Sequence, residues 1–127
     1  LTIGRQARAE LYNLQALPTP PPVPAELCLE TGGRLGAQGE IVDPLTAADL
    51  EALVARLQTL APAAVAITLL FSFLDPAHER RVAARLDAAL PGSFVCCSAD
   101  VLPEIREFER GIATWLNAYV GPLMQGY

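Results

Sequence analysis

Apolar residues recur at helical spacing in the stretch from 47 to about 60. The residues of this stripe are Leu50, Leu53, Val54, Leu57 and Leu60. Thr46 stands three residues before Asp49, which is close to a capping-box arrangement, and Pro62 follows the stretch. The pattern therefore predicts an amphipathic helix over 47–60.

A second helix is predicted to start at Asp75-Pro76. The carboxylate can accept from unpaired amides, and proline occupies the first turn, where its missing N–H costs nothing. Its apolar positions are Val82, Leu86, Ala89 and Leu90, and Pro91-Gly92 follows them. We expect this helix to run to about Leu90.

A third helix is predicted from Pro103 to Gly121-Pro122. The stripe expected to pack inward is Ile105, Phe108, Ile112, Trp115, Leu116 and Tyr119. The charged residues near its start offer two i,i+3 pairs, Arg106–Glu109 and Glu107–Arg110. We interpret these charges as ordinary decoration of a solvated helix face, with a docking surface as the alternative.

Strand patterns separate these helices. A continuous apolar run over 63–71 is typical of a central parallel strand covered on both faces, and 94–98 predicts a second buried strand. Upstream, the alternation of Leu27 and Leu29 and the Gly-rich stretch before Glu40-Ile41-Val42 predict a β-hairpin.

The predicted order is β-β-α-β-α-β-α. Strands alternating with amphipathic helices indicate an α/β fold with a largely parallel sheet, and we expect the opening hairpin to form its antiparallel edge. The prolines between Pro18 and Pro24 predict an extended strap over 1–25, followed by a single α/β domain over 26–127. Because Leu1 is preceded by neither an initiator Met nor a secretory leader, we expect the chain to be an internal piece of a larger protein.

Composition excludes several functions. The net charge is −5 and all nine cations are Arg, so no basic stripe is available to neutralise a nucleic-acid backbone. The longest apolar stretch, 61–74, is too short and too interrupted for a membrane span. Cys28, Cys96 and Cys97 form no CxxC pair, and His78 is the single histidine, so no metal site is expected. Buried reduced thiols favour a cytoplasmic protein.

The carboxyl ends of the two parallel strands are the places to look for chemistry. Ser72, Asp75 and His78 follow the first strand, and a Ser72–His78–Asp75 relay competes there with a capping role for Asp75. A small hydrolase using Ser72 or Cys97 is a third alternative, and it would need His78 as its base.

Ser98, Asp100, Glu104 and Arg106 follow the second predicted strand. Asp100 and Glu104 are weak catalytic candidates as paired carboxylates for acid–base work or metal binding. The helix dipole alone also favours acidic residues near a helix start, and the structural interpretation of both is the stronger one.

Three segments resemble the N-terminal region of the hydantoinase A/5-oxoprolinase family. They are Ile3-Gly4-Arg5-Gln6, the run from Leu69 through Asp75-Pro76-Ala77-His78 to Arg81, and the run from Val101 to Arg110, closed by Asn117 to Pro122. The resemblance itself extends over essentially the whole chain.

The resemblance implies an ATP-dependent hydrolase that opens cyclic amides such as 5-oxoproline or hydantoin-like rings by phosphorylating the carbonyl. Related proteins serve as subunits of ATP-dependent ketone carboxylases. The resemblance also implies a truncated ribonuclease-H-like domain of the sugar kinase/Hsp70/actin superfamily. The parent protein would use ATP with a divalent cation such as magnesium, whereas we expect no cofactor on this piece alone. Its partners would be the rest of the parent chain, a second hydantoinase subunit and a small-molecule substrate.

The sequence departs from this family at its phosphate-binding element. The family's Asp-x-Gly-Gly-Thr motif is absent, since Gly32-Gly33 follows Thr31 and lacks the Asp. Asp100 stands where the family more often has Glu. The segment after Arg110 is usually rich in Ser and Thr in the family, but here Thr114 is its one hydroxyl residue. We therefore expect an incomplete active site and an inactive isolated piece.

The remaining expectations concern contacts. The residues expected to touch substrate or an adjoining domain are Arg5, Ser72, Arg106 and Asn117. The alternative to an enzyme piece is a non-catalytic assembly or regulatory domain whose last helix docks a partner. A homodimer through Trp115 or the edge hairpin is a further alternative. The sequence does not distinguish a hydrolase parent from a carboxylase parent.

Overall fold

The computed structural model describes residues 12–15 and 20–125 and has an α/β architecture. A 3-10 turn at Ala25–Leu27 precedes the main elements. The strands are β1 (Arg34–Leu35), β2 (Ile41–Asp43), β3 (Ala64–Ile67) and β4 (Phe94–Cys97). The helices are α1 (Ala47–Leu60), α2 (Ala77–Ala89), α3 (Ser98–Val101) and α4 (Glu107–Met124). The strap predicted for 1–25 lies largely outside the described residues.

The described strands form two separate pairs. β1 and β2 are antiparallel, which confirms a hairpin, but the alternation of Leu27 and Leu29 does not form its first strand, because Ala25–Leu27 is a 3-10 turn. β3 and β4 are parallel, which confirms the predicted crossover. The expectation that the hairpin forms an edge of the parallel sheet is wrong, because the hairpin is a sheet of its own. Its loop closes when the Gly36 amide donates to the Glu40 carbonyl at 2.8 Å, and Gly39 adopts a φ of +83° that favours glycine.

The main core lies between α1, α2 and one face of the parallel pair. Its buried members are Leu45, Leu50, Val54, Leu57, Ile67, Val82, Leu86 and Cys97. Helix α4 packs against both β3 and β4. Of the helices in the described part of the chain, none is long and apolar enough to cross a membrane.

Helix α1 has the bounds that the sequence predicts, and its capping box is confirmed. The Thr46 amide donates to Asp49 Oδ2 at 2.9 Å, and the Asp49 amide donates to Thr46 Oγ1 at 3.2 Å. Hydrogen bonds from the Thr46 side chain and backbone lower the pKa of Asp49. At the other end of the helix, Ala61 adopts a left-handed conformation with φ of 45° and ψ of 56°.

Strand β3 is shorter than the predicted strand over 63–71. The chain leaves the ladder after Ile67 because both backbone groups of Leu69 bond to side chains. Its amide donates to Glu79 at 2.7 Å and its carbonyl accepts from Arg110 at 3.0 Å. The apolar residues over 68–71 therefore belong to a packed loop and not to the strand.

The predicted bounds and inward face of the last helix are wrong. The segment 98–101, whose first residue the sequence assigns to the second buried strand, forms α3, and α4 begins at Glu107 and continues past Gly121-Pro122 to Met124. Ile105 and Tyr119 of the expected inward stripe are 69% and 67% exposed. The buried residues of the helix are Arg110, Gly111, Thr114, Ala118 and Gly121, whereas Phe108, Ile112 and Trp115 of the expected stripe are half-buried.

Close approach of α4 to β4 explains the choice of face. A Cβ atom at Gly121 would overlap the Phe94 ring, so only a residue without a side chain lets the helix lie this near the sheet. Pro122 removes one helical N–H, but the Gln125 amide still donates to the Gly121 carbonyl at 3.1 Å and the helix continues.

The left-handed Ala61 predicts a stabilising substitution. Ala61→Gly removes the steric cost of a Cβ at positive φ, so the free energy of unfolding is expected to rise by about 0.5–1 kcal/mol. Urea unfolding followed by circular dichroism measures the change.

The matched control is the same substitution inside the helix. Ala55→Gly, at an exposed position of α1, is expected to lower the free energy of unfolding by about 0.5–1 kcal/mol, because it costs backbone entropy without relieving strain. Equal effects of the two substitutions would contradict the left-handed cap.

Candidate functional site

Buried polar side chains cluster where β3 and β4 end. Each is no more than 1% exposed, and they are Ser72, Glu79, Ser98, Arg110 and Thr114. They come from the loop after β3, from α2, from the junction of β4 with α3, and from α4. The carboxyl ends of parallel strands are the usual position of functional sites in α/β proteins.

Glu79 lies at the centre of this cluster and accepts three hydrogen bonds. Its Oε1 accepts from the Leu69 amide at 2.7 Å and from the Ser98 hydroxyl at 2.6 Å. Its Oε2 accepts from the Ala99 amide at 3.0 Å. A buried carboxylate is tolerated only with such compensation, because an uncompensated charge in the interior is strongly destabilising.

Ser98 connects this carboxylate to the guanidinium of Arg110. Its hydroxyl proton goes to Glu79, and its oxygen accepts from Arg110 Nε at 3.1 Å. Ser72 Oγ lies 3.2 Å from Ser98 Oγ, and since the Ser98 proton is already committed, Ser72 is the donor in that pair. The Ser98 hydroxyl is therefore hydrogen-bonded to three side chains, those of Glu79, Arg110 and Ser72.

Arg110 is satisfied around its whole guanidinium. Nη1 donates to the Glu104 carbonyl at 2.8 Å, and Nη2 donates to the Leu69 carbonyl at 3.0 Å. Nη2 also forms an ion pair with Glu107, and the guanidinium lies 5.5 Å from the centre of the Phe73 ring. The planar fork of arginine suits this set of contacts, which a lysine could not reproduce.

These contacts hold the loop over 68–74. Leu69 is held through both of its backbone groups, and the Phe71 amide donates to Glu107 Oε1 at 3.3 Å. Phe71 has a φ of 60°, which is uncommon for a residue with a side chain and persists only where surrounding contacts fix it. The cluster therefore acts as a buried clamp on this loop.

The residues that the sequence singles out lie around the clamp. Ser72 belongs to it and is inaccessible. Glu104 supplies its backbone carbonyl to Arg110, and the Arg106 carbonyl accepts from the Arg110 amide at 2.9 Å, while both side chains are exposed. Asp100 is exposed and pairs with Arg80 at 3.0 Å. Arg5 lies outside the described residues.

The structure does not assemble the Ser72–His78–Asp75 relay. Ser72 bonds to Ser98, whereas His78 Nδ1 lies 3.1 Å from the Gly33 carbonyl oxygen and ties α2 to the hairpin. Asp75 Oδ1 accepts from the Ala77 amide at 2.9 Å, but the N-cap position of α2 is Pro76 and no side chain caps the helix, so the predicted capping role of Asp75 is wrong.

An open hollow of about 560 Å³ lies beside β4, and Asn117 lines it together with Asp87, Asp100, Cys96 and Cys97. Burial raises the pKa of Cys96, against a hydrogen bond with Asn117 that lowers it. Burial, followed by the negative charges of Glu79 and Asp100, raises the pKa of Cys97 to about 12. Both thiols are therefore protonated at neutral pH, and neither is an activated nucleophile.

The charge of the hollow beside β4 does not favour a phosphate group there. The hollow beside β4 carries the carboxylates of Asp87 and Asp100, which would repel phosphates. Arg80, Arg85 and Arg110 are engaged in ion pairs. Over 12–15 and 20–125, no three His, Cys, Asp or Glu side chains are grouped so that they could hold a metal ion.

Sequence reasoning missed the two charges that organise the clamp. It placed Arg110 on a solvated face and assigned no role to Glu79. The available signal was spacing, because Glu79, Val82 and Leu86 share one face of α2, and Arg110, Thr114 and Ala118 recur every four residues on α4. Of the two predicted i,i+3 pairs, Glu107–Arg110 is formed, and it is buried on the Arg110 side.

Replacing the central carboxylate is expected to destabilise the chain strongly. In Glu79→Gln the amide nitrogen would face either the Ala99 amide or the Leu69 amide and Ser98, so at least one donor loses its acceptor. The free energy of unfolding should fall by about 2–4 kcal/mol, as measured by urea unfolding.

The control removes a carboxylate charge from an exposed ion pair. Asp100→Asn breaks the pair with Arg80, whose side chain is 63% exposed, so the loss should stay below about 1 kcal/mol. If Glu79→Gln were no more harmful than Asp100→Asn, the clamp would not be a major source of stability.

Thiol chemistry should separate the three cysteines. Cys28 is only half-buried, whereas Cys96 and Cys97 are buried with raised pKa values. An aromatic disulfide reagent at pH 8 should label one thiol quickly in the native chain and all three in denaturant. As pH rises to 10, Cys97 should stay unreactive because its pKa is about 12.

A matched variant identifies the fast thiol. Cys28→Ser should abolish the fast phase, and Cys97→Ser should leave it intact. Rapid labelling of Cys97 in the folded chain would contradict its burial and its raised pKa.

Comparison with known proteins places these features in a family. Residues 1–90 match the family model described as the hydantoinase/oxoprolinase N-terminal region. The chain is 35% identical over 127 residues to the caprolactamase subunit alpha of Pseudomonas jessenii, covering 100% of this chain and 18% of that protein. It is 30% identical over 138 residues to the acetophenone carboxylase gamma subunit of Aromatoleum aromaticum, covering 98% of this chain and 19% of that protein.

A solved structure gives the same relationship. The crystal structure of the ATP-dependent caprolactamase from Pseudomonas jessenii aligns with a TM-score of 0.83 at 35% identity, over 99% of this chain and 18% of that chain. The present chain thus spans about a fifth of the length of these relatives. With a family model covering 90 of its 127 residues, the chain belongs to the hydantoinase/oxoprolinase family and corresponds to its N-terminal region.

Proposed function

We propose that this chain is part of an ATP-dependent hydrolase that opens a cyclic amide ring. The observation that carries the proposal is the identity of 35% over the complete chain with the caprolactamase alpha subunit, at a TM-score of 0.83 with the caprolactamase structure. Lactam, 5-oxoproline and hydantoin rings share the amide bond to be hydrolysed, so they are the substrate class to test. A cytoplasmic location and a second subunit belong to the same proposal.

The contribution of this chain is structural. In the described residues the polar groups at the carboxyl ends of β3 and β4 are engaged with one another, and the clamp fixes the loop over 68–74. ATP, magnesium and the ring would then be held by the remaining four-fifths of the enzyme. The isolated chain is accordingly inactive.

A ribonuclease-H-like arrangement is the fold that we propose for the full-length domain. The parallel β3–β4 pair with helices after each strand supports it, since such units extend by further strands into a larger sheet. The described residues supply two parallel strands, and the remaining strands would come from other parts of the enzyme.

Within this proposal, the site residues singled out by the sequence contact the rest of the enzyme or its substrate. Asp100 and Asn117 border the open hollow beside β4, where they can meet an adjoining domain or a substrate. Glu104 and Arg106 have exposed side chains on the connection into α4. Arg5 and Ser72 complete the set, Ser72 as a positioning group beneath the loop.

A carboxylase subunit is the second candidate. It is favoured by the identity of 30% with the acetophenone carboxylase gamma subunit over 98% of this chain. In that case the full-length protein would consume ATP during carboxylation of a ketone, and the clamp would have the same structural role.

Activity of the full-length protein decides between these functions. Caprolactam, 5-oxoproline, hydantoin and acetophenone with bicarbonate are each supplied with ATP and magnesium, with and without the second subunit. Ring-opened acid and ADP are quantified by mass spectrometry. ADP formation that tracks ring opening supports the hydrolase, ADP formation that tracks carboxylation supports the second candidate, and no ATP-dependent turnover overturns both.

The isolated chain provides a separate check. Isothermal titration of the 127-residue chain with Mg-ATP, 5-oxoproline and hydantoin should give no saturable heat. Saturable binding of any of them would contradict the assignment of the ligand sites to the rest of the enzyme.

A further inference from the structure

An apolar surface that the other described residues leave exposed runs along α4. It consists of Leu116, Tyr119, Val120, Leu123 and Met124, here called the α4 stripe. Tyr119, Leu123 and Met124 are each about two-thirds exposed, at 67%, 66% and 66%. Single exposed apolar residues are normal on protein surfaces, but a contiguous set marks an interaction site.

The stripe has the periodicity of one helical face. Its members are spaced by three and four residues, so their side chains lie one above another along the helix. The opposite face already packs against the sheet through Thr114, Ala118 and Gly121. Rotation of the helix therefore cannot bury the stripe without exposing the face that now forms the interior.

The segment that carries the stripe contains no charged residue. From Gly111 to Gln125 there is no Asp, Glu, Lys or Arg, although charges make up 18% of the chain. A helix that faces water normally carries a charged or polar face, whereas one that is apolar on most sides is buried on most sides. The composition indicates a surface that stays covered.

Tyr119 provides an aromatic anchor in the middle of the stripe. Its ring lies 5.9 Å from that of Trp115, with the two ring planes inclined by 31°. Packing against the neighbouring indole restricts the tyrosine ring before any partner binds, which lowers the entropy cost of association. Large aromatic side chains that are held in this way dominate binding energy at interfaces.

We propose that the α4 stripe is an internal interface of the full-length enzyme, covered by an apolar face of the polypeptide beyond this N-terminal region. This rests on the proposed function, in which the chain is about a fifth of a larger enzyme. The caprolactamase alpha subunit extends well beyond the part that this chain matches, and polypeptide of that length is available to cover an apolar surface. A charge-free apolar surface is typical of permanent interfaces, whereas transient ones are more polar.

Hydroxyl-radical footprinting of the full-length protein tests this assignment. Oxidation rates of Met124 and Tyr119 in the native protein are divided by their rates in the same protein unfolded in urea. A covered stripe should give both residues a protection factor close to that of the buried Val82. The exposed Ile41 of the hairpin, at 62%, serves as the internal reference for an uncovered apolar residue.

A pair of charge substitutions provides the second measurement. Leu123→Asp places a carboxylate in the stripe, and Ile105→Asp places one at an apolar residue outside it that is 69% exposed. Leu123→Asp should lower the melting temperature and soluble yield of the full-length protein, because it buries an unpaired charge. Ile105→Asp should leave both unchanged.

The outcomes separate the interface from the proposed function. A protection factor of Met124 as low as that of Ile41, together with an unchanged melting temperature in Leu123→Asp, would overturn the interface whatever the activity. Protection that disappears on dilution to a monomer would assign the stripe to a second copy and also overturn it. Dilution-independent protection in a sample without ATP-dependent turnover would leave the interface standing and overturn the proposed function alone.

Discussion

The hydroxyl of Ser98, held between the Glu79 carboxylate and the Arg110 guanidinium, is the contact on which the rest of the structure depends. Its proton goes to the carboxylate at 2.6 Å, and its oxygen accepts from the guanidinium at 3.1 Å. Both side chains are 0% exposed, so the hydrogen bonds that join them through Ser98 and those to the surrounding backbone donors and acceptors must offset their loss of hydration. Three segments distant in sequence are thereby fixed to one another.

The position of this clamp relates the fold to the function. Parallel strands end at the same edge of a sheet, and in this chain the clamp occupies that edge and fixes the loop after β3. A rigid loop of this kind suits a domain that positions groups for chemistry performed elsewhere in a larger enzyme. The comparisons show that the chain belongs to the hydantoinase/oxoprolinase family and shares its fold with part of the caprolactamase structure.

The sequence predicts the local elements well and the long-range polar contacts poorly. Helix α1 follows from Thr46, Asp49 and the apolar stripe, because caps and periodicity are local signals. The end of β3 does not follow from the sequence, because the backbone of Leu69 bonds to Glu79 and Arg110, which are 10 and 41 residues away. The exposure of Leu116 and Tyr119 does not follow from the sequence either, since an apolar helix face that contacts another domain has the same pattern as one that packs on its own core.

Hydrogen exchange at the Leu69 and Ala99 amides tests the central role of the clamp most directly. Leu69 belongs to no helix or strand, and its amide bonds to the Glu79 carboxylate, as does that of Ala99. The clamp predicts that both exchange only with global unfolding, far more slowly than the amide of the exposed loop residue Leu70. Exchange of Leu69 and Ala99 at the rate of Leu70 would contradict a clamp that holds the loop in place.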